Sequence, residues 1–160
     1  MVIRSVCAGA MTALLAWASP AAAGEADSEP VAVAARAAAA TVDAFHAALR
    51  AGDTEAAAAL LADDALIFEE GGAERSKAEY AARHLAADAA FSKAVPGVRT
   101  RRRGDSAGGM AWIASEGRSK GRYRGTDVDR VTAETMVLRR SGEAWRIVHI
   151  HWSSAQSSVE

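Results

Sequence analysis

Cysteine, proline and aromatic side chains are all scarce in this sequence. A single cysteine, Cys7, stands among 160 residues. It excludes an internal disulfide framework and any cysteine-rich zinc site. Three prolines and no Pro/Gly-rich tract leave no collagen-like or proline-rich scaffold. Charge of one sign is missing as well: 19 Lys and Arg face 20 Asp and Glu. Nothing global therefore points to a nucleic-acid partner. No apolar run reaches the roughly 20 residues that a membrane-spanning helix needs, so no membrane span is expected.

The longest apolar run, Val6 to Trp17, lies near the start. Arg4 precedes it, and the small residues Ser19-Pro20-Ala21-Ala22-Ala23 follow. That order predicts a cleaved secretory signal peptide over 1–23, with the cut after Ala23. It implies a periplasmic or secreted protein. Cys7 would be discarded with the leader, leaving a domain with neither disulfides nor thiol chemistry.

Beyond a short acidic tail over 24–30, Val42, Phe45 and Leu49 recur at helical spacing, and Gly52 sits where a helix C-cap belongs. Asp53 can cap a second helix through Leu61. Leu66-Ile67-Phe68 reads as a brief strand ended by Gly71-Gly72. Ser76-Lys77-Ala78-Glu79 forms a capping box that opens a third helix, running to before Pro96. From there the pattern alternates. Strands are expected over Val98 to Arg103, Met110 to about Arg124, Val128 to Arg140 and Ala144 to Ser153, with turns at Gly104 to Gly109, Gly125-Thr126-Asp127 and Ser141-Gly142. Helices followed by a meander of long strands argue for an α+β fold.

The final hairpin, from Glu134-Thr135-Met136-Val137-Leu138 through Gly142-Glu143-Ala144-Trp145-Arg146-Ile147-Val148-His149-Ile150-His151-Trp152-Ser153, resembles the closing hairpin of SnoaL-like, nuclear transport factor two-like proteins. It is also similar to the association domain of calcium/calmodulin-dependent protein kinases. The "AGD" helix break and the "DDALIF" segment fit the same resemblance, which spans about 31–154 and leaves 155–160 as a tail. It implies a cone-shaped, strongly curved antiparallel sheet wrapped around N-terminal helices, with a pocket that takes a small organic molecule. It further implies a homodimer or larger homo-oligomer. The family includes isomerases, hydrolases, cyclases and proteins without chemistry, so the resemblance fixes no reaction. The tyrosine and buried carboxylates of ketosteroid isomerases, and the aspartate-arginine-aspartate set of epoxide hydrolases, are not carried over to this sequence.

Histidine on the last strand is the leading candidate. Residues two apart on a strand share a face, so His149 and His151 point the same way, together with Trp145 and Ile147. If Ser141-Gly142 is a two-residue turn, Glu134 falls opposite His149. On the third helix, Tyr80, His84 and Asp88 occupy one stripe. The cone architecture implied by the resemblance would bring His84 to His149 and His151. Two chemistries suit that group. Three imidazoles would hold a divalent transition metal such as zinc or copper. Alternatively, His149 held by Glu134 would act as general base, with Tyr80 donating to an oxyanion. No other cofactor is called for, and a hydrogen-bonded structural pair is the plain alternative.

Trp112, Trp145 and Trp152 would wall the pocket or simply pack. His46 reads as a core or interface histidine, and Glu69-Glu70 as a solvated turn. Arg118, Lys120, Arg122 and Arg124 share one strand face, and Arg99, Arg101 and Arg103 repeat the alternation. That stripe is either a soluble, edge-protected surface or a site for an anionic partner.

Overall fold

The computed structural model describes residues 31–157, so the expected leader, its cut after Ala23 and the acidic tail lie outside the described residues. After a 3-10 turn at Val33–Ala35 come helices α1 (Arg36–Ala51) and α2 (Thr54–Ala59), then strands β1 (Leu61–Glu69) and β2 (Gly72–Glu74). Helices α3 (Lys77–Arg83) and α4 (Leu85–Ala94) follow, and strands β3 (Gly97–Ala107), β4 (Met110–Tyr123), β5 (Thr126–Ser141) and β6 (Ala144–Gln156) complete the chain. The α+β expectation is met by helices packed against one curved, unclosed six-stranded sheet in the order β2-β1-β6-β5-β4-β3. β1 runs parallel to β6, the one exception to antiparallel pairing among the described strands.

The local signals act as their chemistry requires. Gly52 caps α1 in the left-handed conformation at φ 78°, which costs glycine little. The Asp53 carboxylate accepts from Ala56 N at 2.9 Å, and Ser76 Oγ accepts from Glu79 N at 3.1 Å. The single helix expected after Ser76 is instead two, broken at His84, which closes α3 and opens α4. α2 stops at Ala59 because Leu61 already belongs to β1 and pairs with Ile147. β6 continues through Gln156, into the stretch assigned to a tail. Gly104 lies inside β3 rather than in a turn. A Cβ there would come within 2.5 Å of Ile113 Cδ1 and 2.8 Å of the Trp112 carbonyl.

One face of the sheet carries the core. Ala111 and Ile113 of β4, Met136 and Leu138 of β5, Ile147 and Ile150 of β6 and Ile67 of β1 pack against Val42, Phe45 and Leu49 of α1 and against Tyr80. That inner face holds hydrocarbon at one end of the strands and opens into a cavity at the other.

Register decides which polar residues share the inner face. The last hairpin turns at Gly142-Glu143, because Ser141 pairs with Ala144. Leu138 then pairs with Ile147 but Val137 with His149, so Val148 is an extra, bulged residue. The turn and the bulge together set Glu134 opposite Trp152, not His149. A second bulge lies between Arg99 and Arg101 in β3. It places Arg99 beside Gly117 and Arg102 beside Ser115 on the inner face, and leaves Arg101 and Arg103 on the outer one. The expected single face for Arg99, Arg101 and Arg103 therefore does not form.

Candidate functional site

A cavity of about 1070 Å³ lies between α1, α4 and the inner face of the sheet. One row of paired residues crosses five strands at its base: Glu69 of β1, Trp152 of β6, Glu134 of β5, Ser115 of β4 and Arg102 of β3. Paired residues on neighbouring strands point to the same side, so the row stands on one face. Neighbouring strands lie about 4.8 Å apart, which sets the Glu69 and Glu134 backbones roughly 10 Å apart across the intervening Trp152.

On one side of Trp152 stands a carboxylate–imidazole pair. Glu134 Oε2 accepts from His46 Nε2 at 2.8 Å and from the Trp152 indole N–H at 2.7 Å. The Glu134 side chain is only 10 % exposed. Burial alone would push its carboxyl up, but the bonds from His46 and Trp152 and the nearby Arg102 charge outweigh it and hold the group below the usual glutamate value. His46 reaches this position because Asp43, His46 and Arg50 recur at i, i+3 and i+7 on the cavity side of α1. The Trp152 ring stacks on Phe45, with centroids 6.3 Å apart.

On the other side of Trp152 are Glu69, Glu74, His84 and Asp88. Burial and the charges of Asp88, Glu70 and Glu74 push the Glu69 carboxyl up to about 7. Asp88 is also raised, chiefly by burial, although Tyr80 Oη donates to it at 2.7 Å. Glu74 is buried and accepts from His84 Nδ1. Two carboxyls on opposite sides of one indole ring are thus driven apart in acidity, Glu69 toward neutrality and Glu134 toward permanent charge.

Several residues singled out by sequence stand elsewhere. His149 pairs with Val137 and Leu66, and His151 with Thr135 and Phe68, all on the outer face of the sheet. His149 Nδ1 donates to the Leu66 carbonyl at 2.8 Å, and both rings pack edge-on against Phe68. His84 lines the cavity, so the expected metal trio of His84, His149 and His151 is divided between two faces. Among the described residues no three His, Cys, Asp or Glu side chains gather as metal ligands. Tyr80 is fully buried with its hydroxyl engaged by Asp88, so it supports the cavity wall rather than donating into the cavity. Trp112 is 44 % exposed on the outer face, and Trp145 packs against the core away from the cavity. Asp88, His84 and Trp152 line the cavity.

Sequence reasoning missed Glu69 and His46. Glu69 shares the parity of the buried Ile67 on β1, a signal present in the alternation. His46 lies in a polar stripe beside the apolar stripe of α1. The basic residues of β4 belong to the outer face: Arg118 makes two 2.7 Å bonds to Asp129, with Lys120 at 3.7 Å from the same carboxylate, and Arg122 is 4.0 Å from Asp127.

The family model of the SnoaL-like domain matches residues 38–157. No curated protein matches the chain. Among solved structures, the chain is similar to a Shewanella frigidimarina NCIMB 400 protein provisionally described as a ketosteroid isomerase, with 33 % identity and a TM-score of 0.71 over 78 % of this chain and 100 % of that one. A Xanthomonas campestris protein, provisionally described as a calcium/calmodulin dependent protein kinase II association domain, shares the fold at 22 % identity and a TM-score of 0.65 over 76 % of this chain and 87 % of that one. So does a Streptomyces avermitilis protein of the NTF2-like family, provisionally described as a dehydratase, at 19 % identity and a TM-score of 0.66 over 78 % and 98 %.

Proposed function

The chain belongs to the SnoaL-like domain family, and on that premise we propose that it binds a small organic molecule in the cavity and moves a proton on it, as an isomerase acting beside a carbonyl group. The observation that carries this reading is the pair of acid–base groups on either side of Trp152. A ligand lying over the indole meets Glu69 on one side and His46, held by Glu134, on the other. A base with a pKa near 7 combines a useful ionised fraction with real basicity at neutral pH. Ionised Glu69 removes the proton from the carbon next to the carbonyl. His46, anchored through Nε2 on Glu134, turns its other ring nitrogen to the enolate oxygen that forms. Glu69 then returns the same proton to a different carbon, so the reaction consumes no other reagent. The likeness to a structure provisionally described as a ketosteroid isomerase supports this class of chemistry. The reading includes export, with the leader over 1–23 removed, and assembly as a homodimer.

Cyclic β,γ-unsaturated ketones are suitable first substrates. Their isomerisation is followed by the growth of conjugated-enone absorbance. Glu69→Gln should lower turnover by about 10²–10⁴-fold, and His46→Gln by about 10²-fold or more. Because the ionised form of Glu69 is the active one, the wild-type rate should rise with pH through about 7. Absence of turnover above buffer across the panel, or a rate indifferent to Glu69→Gln, would sink proton transfer and leave a binding pocket without chemistry.

A further inference from the structure

The cavity carries charge of opposite sign on its two walls. On the α1–β3 side, Asp43 Oδ1 accepts from both Arg99 Nη1 at 2.9 Å and Arg102 Nη1 at 2.8 Å, so one carboxylate serves two guanidiniums. Arg102 is nearly buried, with a side chain 10 % exposed, whereas that of Arg99 is 49 % exposed and lines the cavity. Only Nη1 of Arg99 has an acceptor among the described residues, which leaves its remaining N–H groups free for a ligand. Arg50, one helical turn beyond His46, also lines the cavity and has no ion-pair partner among the described residues. Counting Arg50, Arg99 and Arg102 against Asp43 and Glu134 leaves this wall positive even with His46 neutral. The floor between Arg99 and Thr132 is Gly117, where a Cβ would approach the Val98 carbonyl to 2.9 Å, so no side chain screens the guanidinium from the cavity.

From this arrangement we propose that the molecule bound in the cavity is an organic anion, a carboxylate held by Arg99 and Arg50, with its uncharged end over Trp152 facing Glu69. This rests on the reading of the same cavity given above and adds the substrate class and the direction in which it lies. A carboxylate and a guanidinium form paired, charge-assisted hydrogen bonds, and the low-dielectric walls of a cavity strengthen them relative to an open surface. The opposite wall does not offset this attraction with an equal preference for cations. Glu74 already accepts from His84, and burial raises the carboxyls of Glu69 and Asp88, that of Glu69 further by the charges of Asp88 and Glu70. The carboxyls of the acidic wall are thus held less acidic than on an open surface, while the arginine wall keeps its charge at every physiological pH.

Calorimetric titration of the full exported chain with 2-naphthoate, 2-naphthamide and 2-naphthylmethylammonium tests the proposal, since the three probes differ mainly in charge. Naphthoate should bind about tenfold or more tighter than naphthamide at low ionic strength, and the advantage should shrink as salt screens the arginines. Arg99→Gln and Arg50→Gln, made separately, should each remove most of that advantage while naphthamide still binds. Equal or tighter binding of the amide or the ammonium, no binding of any probe at millimolar concentration, or a naphthoate preference that survives both variants would each overturn it. Failure here is separable from failure of the proton-transfer reading. Turnover without charge preference rejects only the anion, and naphthoate preference without turnover rejects only the chemistry.

Discussion

Glu69 embodies a conflict between stability and use. Its carboxyl is raised from the ordinary 4.5 to about 7 by burial and by neighbouring carboxylates. Between those two values the folded chain holds a proton that the unfolded chain has released. Stability therefore falls as pH rises from about 4.5 to 7, and the full penalty persists above 7. Glu69→Gln should raise the melting temperature by a few degrees at pH about 8, roughly 1 kcal/mol after allowance for the partial exposure of this side chain, and should bring no gain near pH 4. A melting temperature unchanged or lowered at the higher pH would show that the carboxylate is better solvated than its surroundings imply. The same residue measures what was legible in sequence. Its parity with Ile67 and its neighbour Glu70 were readable, but the burial and the charges of Asp88 of α4 and Glu74 of β2 that also raise its pKa are supplied only by the fold.

At the scale of elements, the caps, the glycine turn after α1 and the long strands were all readable, because each depends on residues a few positions apart. The two bulges were not. Nothing in the alternation around Thr100 or Val148 announces an unpaired residue, since the cost of the bulge is met by distant packing: Ile147 and Ile150 both reach the core only because Val148 is skipped. This is why Glu134 met a histidine as expected, but His46 of α1 rather than His149 of its own hairpin. Gly104 shows the opposite case, a residue whose role is steric. Gly104→Ala should destabilise the protein by about 1–3 kcal/mol, read from the midpoint of urea unfolding, because the added carbon meets both the Ile113 side chain and a fixed carbonyl. An unaltered midpoint would mean that β3 and β4 can separate at this crossing at no cost.

For the whole molecule, a formal charge of −1 conceals a division of labour between the faces of the sheet. Arg118, Lys120 and Arg122 on the outer face are matched by Asp127 and Asp129 of the adjacent strand, so that part of the face resembles a screened surface more than an anion-binding one. Partly exposed Phe68, Trp112 and Val131 accompany them there, the apolar area that the proposed homodimer would cover. No helix among the described residues is long and apolar enough to cross a membrane. Under the proposed export and pairing, native mass spectrometry of the purified protein should give twice the mass of a chain beginning at Gly24. A monomer at micromolar concentration would reject the dimer, and a chain retaining Met1 would reject export.

The bulge at Val148 also bears on how relatives of this chain are compared. Because the faces of a strand alternate, an extra residue that is paired exchanges inside for outside along all that follows, whereas one that is bulged leaves the faces as they were. A chain without Val148 would keep the pairs of Val137 with His149 and Glu134 with Trp152 as a regular ladder, and would still turn Ile150 and Trp152 inward. A gap placed there in an alignment therefore leaves the aromatic floor in place. The same chain with Val148 paired to Val137 would instead turn His149 and His151 inward, so the meaning of the conspicuous HIH motif depends on whether that residue is skipped.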